Sequence, residues 1–145
     1  MSLDGDYDED NVFAKIIRGD LPAAKVYEDA HVLAFMDVFP QARGHTLVIP
    51  KRSTARNLLD EDPQVLATLI QGVQRVAHAV RSALKPDGLT VMQFNGSTAG
   101  QTVFHLHFHI IPRWDGVPLG RHADGGMADP AELKELAEQI AGMIS

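Results

Sequence analysis

At 145 residues the chain is the length of one domain and long enough to bury a hydrophobic core. Its 45% apolar and 22% charged residues exclude a disordered or fibrous chain, and with no cysteine there is neither a disulfide framework nor a thiolate zinc site. Much of the net charge of −6 sits in Asp4, Asp6, Asp8, Glu9 and Asp10, so the rest of the chain is close to neutral, which argues against a nucleic-acid partner.

Residues 1–10 read as a solvated, poorly ordered acidic leader. No apolar run approaches the ~20 residues needed to cross a bilayer, so the expectation is a cytoplasmic chain with no membrane partner. Asp10 or Asn11 can cap a short helix with Val12, Phe13, Ile16 and Ile17 on one stripe, stopped by Gly19. Leu21-Pro22 turns the chain. Strands are predicted at Lys25–Tyr27 and Val32–Met36, with Glu28-Asp29-Ala30 as the hairpin turn. The breaker-rich segment Val38–Gly44 is a loop, and His45–Ile49 is a third strand ended by Pro50.

Asp62-Pro63 is a strong helix start, with Asp as N-cap and Pro in the first turn. Val65, Leu66, Leu69, Ile70, Val73, Val76, Ala77, Val80 and Leu84 follow at helical spacing until Pro86-Asp87-Gly88. Leu89–Phe94 and Val103–Ile111 are predicted as two more strands. A stretch containing Gly116, Gly120, Gly125 and Gly126 leads to a last helix, capped by Asp129-Pro130 and carrying Leu133, Leu136, Ile140 and Ile144. Short connections between neighbouring strands imply an antiparallel sheet with helices laid on it, an α+β fold.

Three of the seven histidines fall within five residues, His105-Leu106-His107-Phe108-His109. In a strand these three rings would project from one face at intervals of about 6.7 Å, with Phe104, Leu106, Phe108 and Ile110 on the other. Such a row can line a groove around a phosphate: one imidazole as nucleophile, a neighbour fixing its tautomer, another moving a proton. The preceding Asn95-Gly96-Ser97-Thr98-Ala99-Gly100-Gln101-Thr102 offers hydroxyl and amide donors on a flexible backbone, without the Lys-Ser/Thr ending of a Walker loop. Two alternatives stand beside this one. The row can be structural, or His105 and His107 can chelate zinc with His45 as third ligand, although Gln and Thr nearby are poor zinc ligands. His31, His78 and His122 fall in a turn, a helix and a loop, and solvent exposure accounts for each.

His105 to Ile111 resembles the His-φ-His-φ-His-φ-φ signature of the histidine triad (HIT) superfamily of nucleotide hydrolases and transferases. The resemblance extends through Val12–Ile17, Ala34–Asp37, Pro40–His45, Val48–Lys51, Asn95 and Gly100-Gln101, covering about residues 11–113 in the family's order. It implies a HIT domain over 11–113, a C-terminal extension over 114–145 that belongs to the same unit, a five-stranded antiparallel sheet and a homodimer. It also implies a purine nucleotide substrate. His107 would attack the α-phosphorus, His105 and His45 would orient and polarise it, and His109 would face the phosphate or leaving group. Asn95, Gly100, Gln101 and Thr102 match phosphate-contacting positions, Asp37 matches the ribose carboxylate, and Val12, Phe13, Ile16, Phe35 and Val38 match the base cleft. Bacterial members that hold a structural zinc carry Cys-x-x-Cys where this chain has Asn11 and Ala14, so no metal or other cofactor is expected. Trp114 is either a wall of the leaving-group side or a packing residue.

The function expected is cleavage of an AMP-type nucleotide from a phosphoramidate, acyl or phosphate leaving group through a nucleotidyl-histidine. A dinucleoside polyphosphate hydrolase and a nucleotide-binding regulator with incidental turnover are the alternatives.

Overall fold

A computed structural model describes residues 3–120 and 126–145; His122 and Gly125 lie outside them. Five strands form an antiparallel sheet: β1 (Lys25–Glu28), β2 (Val32–Met36), β3 (Thr46–Pro50), β4 (Gly88–Met92) and β5 (Phe108–Arg113), in the order β1-β2-β3-β5-β4. Three α-helices accompany it: α1 (Val12–Arg18), α2 (Pro63–Leu84) and α3 (Pro130–Ala141). The α+β class with a C-terminal helix is therefore the one expected. Among the described residues no helix is long and apolar enough to cross a membrane.

Helix starts follow the local chemistry. The Asn11, Asp62 and Asp129 side chains each accept a backbone N–H from the first turn of α1, α2 and α3, respectively. Helix α2 stops at Lys85, in a left-handed conformation one residue before Pro86. Ile144 lies beyond α3.

Strand alternation builds two apolar layers. On one face Val32, Ala34, Val48, Leu106 and Ile110 pack against Leu69, Val73, Val76 and Val80 of α2 and Leu133, Leu136 and Ile140 of α3. On the other face Leu33, Phe35, Leu47 and Ile49 meet Phe13 and Ile16 of α1. The thick layer seals one side of the sheet, and the single short helix α1 only partly covers the other. That asymmetry leaves room for a cleft. The C-terminal segment returns along the 38–41 loop, with Gly120 N–H donating to Gln41 O at 2.8 Å and Ala128 N–H to Val38 O at 2.9 Å.

Two expectations are corrected. The last strand does not begin at Val103 but at Phe108. Leu106 N–H donates to Ala55 O rather than into the ladder, and the Pro50 carbonyl of β3 is taken by the ring of His105. Pro50 also lacks an N–H with which to continue the pairing. The acidic leader, expected to be poorly ordered, lies against the body over residues 3–10. Its Leu3 carbonyl accepts from Asn57 Nδ2 at 3.0 Å and its Asp6 carbonyl from Arg56 Nη1 at 3.1 Å.

Candidate active site

A cleft of about 450 Å³ opens between α1 and the sheet face that α1 partly covers. Val12, Phe13 and Ile16 come from α1, Phe35, Asp37 and Val38 from the end of β2 and the loop after it, and Thr102, His107 and His109 from the histidine segment. The volume suits a small organic ligand. Leu21, Pro22, Ala23, Met36, Phe39, Leu47 and Val103 complete the wall without having been singled out as site residues in the sequence. For Leu47 the signal was available, since strand period puts it on the same face as His45. For Leu21-Pro22-Ala23 there was none, because a turn signal does not say what the turn faces.

The histidines are buried, yet they are not a row of three parallel rings. His107 and His109 face the cleft with ring centroids 5.0 Å apart. The His105 ring lies outside the cleft walls: Nε2 is 2.9 Å from Pro50 O and Nδ1 is 2.7 Å from the Tyr7 hydroxyl. What His105 gives the site is its backbone carbonyl, 2.6 Å from His107 Nδ1. The regular alternation that predicted otherwise requires a strand through residues 103–107, which the Pro50 and Ala55 contacts prevent.

Hydrogen bonding fixes each tautomer. A carbonyl only accepts, so His107 Nδ1 carries the proton, and the lone pair of the neutral ring is on Nε2. His45 Nδ1 accepts the Gln41 backbone N–H at 3.0 Å, so its proton is on Nε2, which donates to His109 Nδ1 at 2.9 Å. Neutral His109 then carries its proton on Nε2. The Asp37 carboxylate is 3.4 Å from His45 Nε2 and accepts Phe39 N–H through its other oxygen at 2.8 Å. His45 is thus hydrogen-bonded directly to His109. Phe13 lies edge-on to His107, ring centroids 4.9 Å apart, and Phe94 flanks His109 at 5.3 Å. Burial pushes the His105 imidazole down to about 4, so it is neutral at pH 7.

Gly44, next to His45, sits where only glycine fits. Its φ of +89° is a left-handed conformation, and a Cβ there would collide with Leu84 Cδ1 of α2.

Other expected contacts are already engaged. The Gln101 side chain accepts Gly96 N–H at 2.8 Å and donates to Arg56 O at 2.7 Å and Val103 O at 3.0 Å, knitting the loop rather than projecting into the cleft. Asn95 Oδ1 accepts from Leu58 N–H and Gln93 Nε2, while Asn95 Nδ2 donates to Gln93 Oε1. Neither of these residues nor Gly100 lines the cleft, whereas Thr102 does. Trp114 is half-buried and outside it. His31 and His78 are exposed.

As to metal, His105, His107 and His45 do not converge. Among the described residues the group with ligand atoms close enough is Asp37, His45 and His109, all buried, with those atoms within 4.8 Å of one another. The donor set is hard-to-borderline, of a kind zinc accepts. The hydrogen bond between His45 and His109 already satisfies two of these atoms without an ion.

Comparison with known proteins places this geometry. The family model described as "HIT domain" matches residues 18–116. "Protein hit" of Bacillus subtilis is 42% identical over 142 residues, covering 94% of this chain and 96% of that one. The adenosine 5'-monophosphoramidase hnt1 of Schizosaccharomyces pombe is 36% identical over 145 residues, 92% of this chain and 97% of that protein. A crystal structure of a Hit-like protein involved in cell-cycle regulation from Bartonella henselae superposes with a TM-score of 0.88 at 50% identity, covering 95% and 99% of the two chains. The chain belongs to the HIT domain family.

Proposed function

We propose that this protein is a nucleotide hydrolase that transfers a nucleoside monophosphate through His107. The observation that carries the reading is the 2.6 Å contact that puts the His107 proton on Nδ1 and its lone pair on Nε2, at the wall of a nucleotide-sized cleft. That Nε2 attacks the α-phosphorus, an N–P bond forms, and the leaving group departs with the electrons of its bond to phosphorus. His109, with its proton on Nε2, stands beside it as donor to the phosphate or leaving group. Water then attacks the same phosphorus, its proton passing to the His109 Nε2 that the first step left bare, and the N–P bond breaks with its electron pair returning to His107.

Val12, Phe13, Ile16, Phe35 and Val38 form an apolar slot that takes the base with little discrimination between purines. Asp37, at the cleft wall, is the carboxylate placed to accept from the ribose hydroxyls. Thr102 supplies a hydroxyl at the phosphate end. Gln101, Asn95 and Gly100 shape the loop that carries it, and His45 orients His109. The name of the phosphoramidase relative favours a P–N bond as substrate, with dinucleoside polyphosphates as the alternative. The exposed edge β4, where Val91 is 47% accessible, is where a second copy would pair to give a homodimer.

The test is a quenched reaction with adenosine 5'-phosphoramidate. An acid-labile, base-stable nucleotide adduct on His107 supports the reading, and an adduct on another residue overturns it.

A further inference from the structure

Residues 103–107 belong to no strand, so the backbone that presents the His105 carbonyl is held by other means. Leu106 N–H is tied to Ala55 O at 3.0 Å. Val103 O accepts from Gln101 Nε2 at 3.0 Å, and two more anchors are on the His105 ring: Nε2 donates to Pro50 O at 2.9 Å, which leaves the lone pair of the neutral ring on Nδ1, facing the Tyr7 hydroxyl at 2.7 Å. Burial raises the pKa of the Tyr7 phenol, so it is a donor at neutral pH. Tyr7 is brought there by a leader bonded to Asn57 and Arg56, with Gly5 so close beneath the Arg56 guanidinium that a Cβ would lie 2.5 Å from Nη1. Gly5 has φ +151°, a backbone that only glycine adopts readily. The Tyr7 and Phe13 rings both lie near His105, with ring centroids at 5.8 and 6.4 Å.

We infer that Tyr7 is a positioning residue for His107: its hydroxyl fixes the His105 ring, and the His105 carbonyl thereby holds the His107 proton on Nδ1. The inference rests on the reading of His107 as nucleophile. Without the hydroxyl, a buried acceptor on His105 loses its donor. The ring then gains by turning or changing tautomer, at the expense of the Pro50 bond. The 105 carbonyl is released with it, and part of the His107 population places its proton on Nε2, where it cannot attack. Tyr7 lies outside the cleft walls, so the effect belongs to turnover and not to nucleotide binding.

The experiment uses the full chain and its Tyr7→Phe variant, which keeps the aromatic ring and removes only the oxygen. Two-bond proton–nitrogen spectra of the imidazoles report tautomers, and steady-state kinetics with adenosine 5'-phosphoramidate report kcat and KM. The expected result is a single Nδ1–H tautomer at His107 in the natural chain, a mixture in the variant, and kcat lower by about threefold to tenfold with KM unchanged. An unchanged His107 tautomer in the variant overturns the inference, whether or not kcat falls, because a merely structural tyrosine would leave it so. If the variant does not fold, the natural chain decides alone: coupling between the Tyr7 hydroxyl proton and His105 Nδ1 supports the inference, and its absence in a spectrum that resolves both overturns it. Failure of the nucleophile reading would appear separately, as no adduct on His107 in a chain whose tautomers are as described.

Discussion

His107 Nδ1 lies 2.6 Å from the carbonyl oxygen of His105, two residues earlier in the chain. The bond is local, yet it forms only because the chain between the two residues bends out of the sheet. A regular strand would point both rings the same way and turn that carbonyl toward a neighbouring strand. The irregularity that shortens β5 is thus what gives His107 a defined tautomer.

Replacing His107 by Ala removes the nucleophile and leaves the apolar slot and Asp37 in place. Turnover is expected to disappear while AMP still binds, checked by single-turnover assay and calorimetric titration. Measurable turnover by the variant would contradict the assignment.

Exchanging His45 for Ala deletes the donor to His109 Nδ1 and the acceptor for Gln41 N–H in one step. Unpairing buried groups costs about 1–3 kcal/mol each, so the denaturation midpoint should fall and kcat with it. A variant as stable and as active as the natural chain would show that the His45–His109 pair is dispensable.

The pH dependence of stability follows from His105. Its folded pKa, about 4, lies below its ordinary value of 6.5 because burial disfavours the charged ring. Between those values the unfolded chain binds more protons, so stability rises with pH across the window. The contribution, roughly 3 kcal/mol by the pKa difference, is fully present above pH 6.5 and lost as pH falls through 4. Urea unfolding at pH 4, 5, 6 and 7 checks it, and His105→Asn should flatten the slope. A slope unaltered by that substitution would contradict the assignment to His105.

Metal gives a prediction of two parts. Dialysis against EDTA should leave activity intact, since the proposed chemistry uses no ion. Added zinc should inhibit, because binding Asp37, His45 and His109 would displace the proton that His45 donates to His109. Loss of activity with EDTA and recovery with zinc would reverse the reading.

Much of this fold was legible because its signals are local. Asn11, Asp62 and Asp129 announce their helices, and the alternation in β2, β3 and β5 separates the α2–α3 face from the α1 face. Where alternation was extended to residues 103–107 it failed. The competing partners of that segment, Ala55 O and Pro50 O, are about 50 residues away in sequence and invisible to any short window. The same limit applies to the leader. Its acidic side chains suggest a solvated tail, but its Leu3 and Asp6 backbone carbonyls and one phenol hold it in place. For Gln101, residue type indicated a phosphate donor. The structure shows both ends of its amide engaged, one by Gly96 of the same loop and the other by Arg56, 45 residues earlier in the chain.

A covalent bond between His107 and the nucleotide's α-phosphorus leaves its mark in the stereochemistry at that atom. With a substrate made chiral by sulfur and oxygen isotopes at the α-phosphorus, two successive displacements predict retention of configuration in the product. Inversion would mean a single direct attack by water, and His107 would then not be a nucleophile.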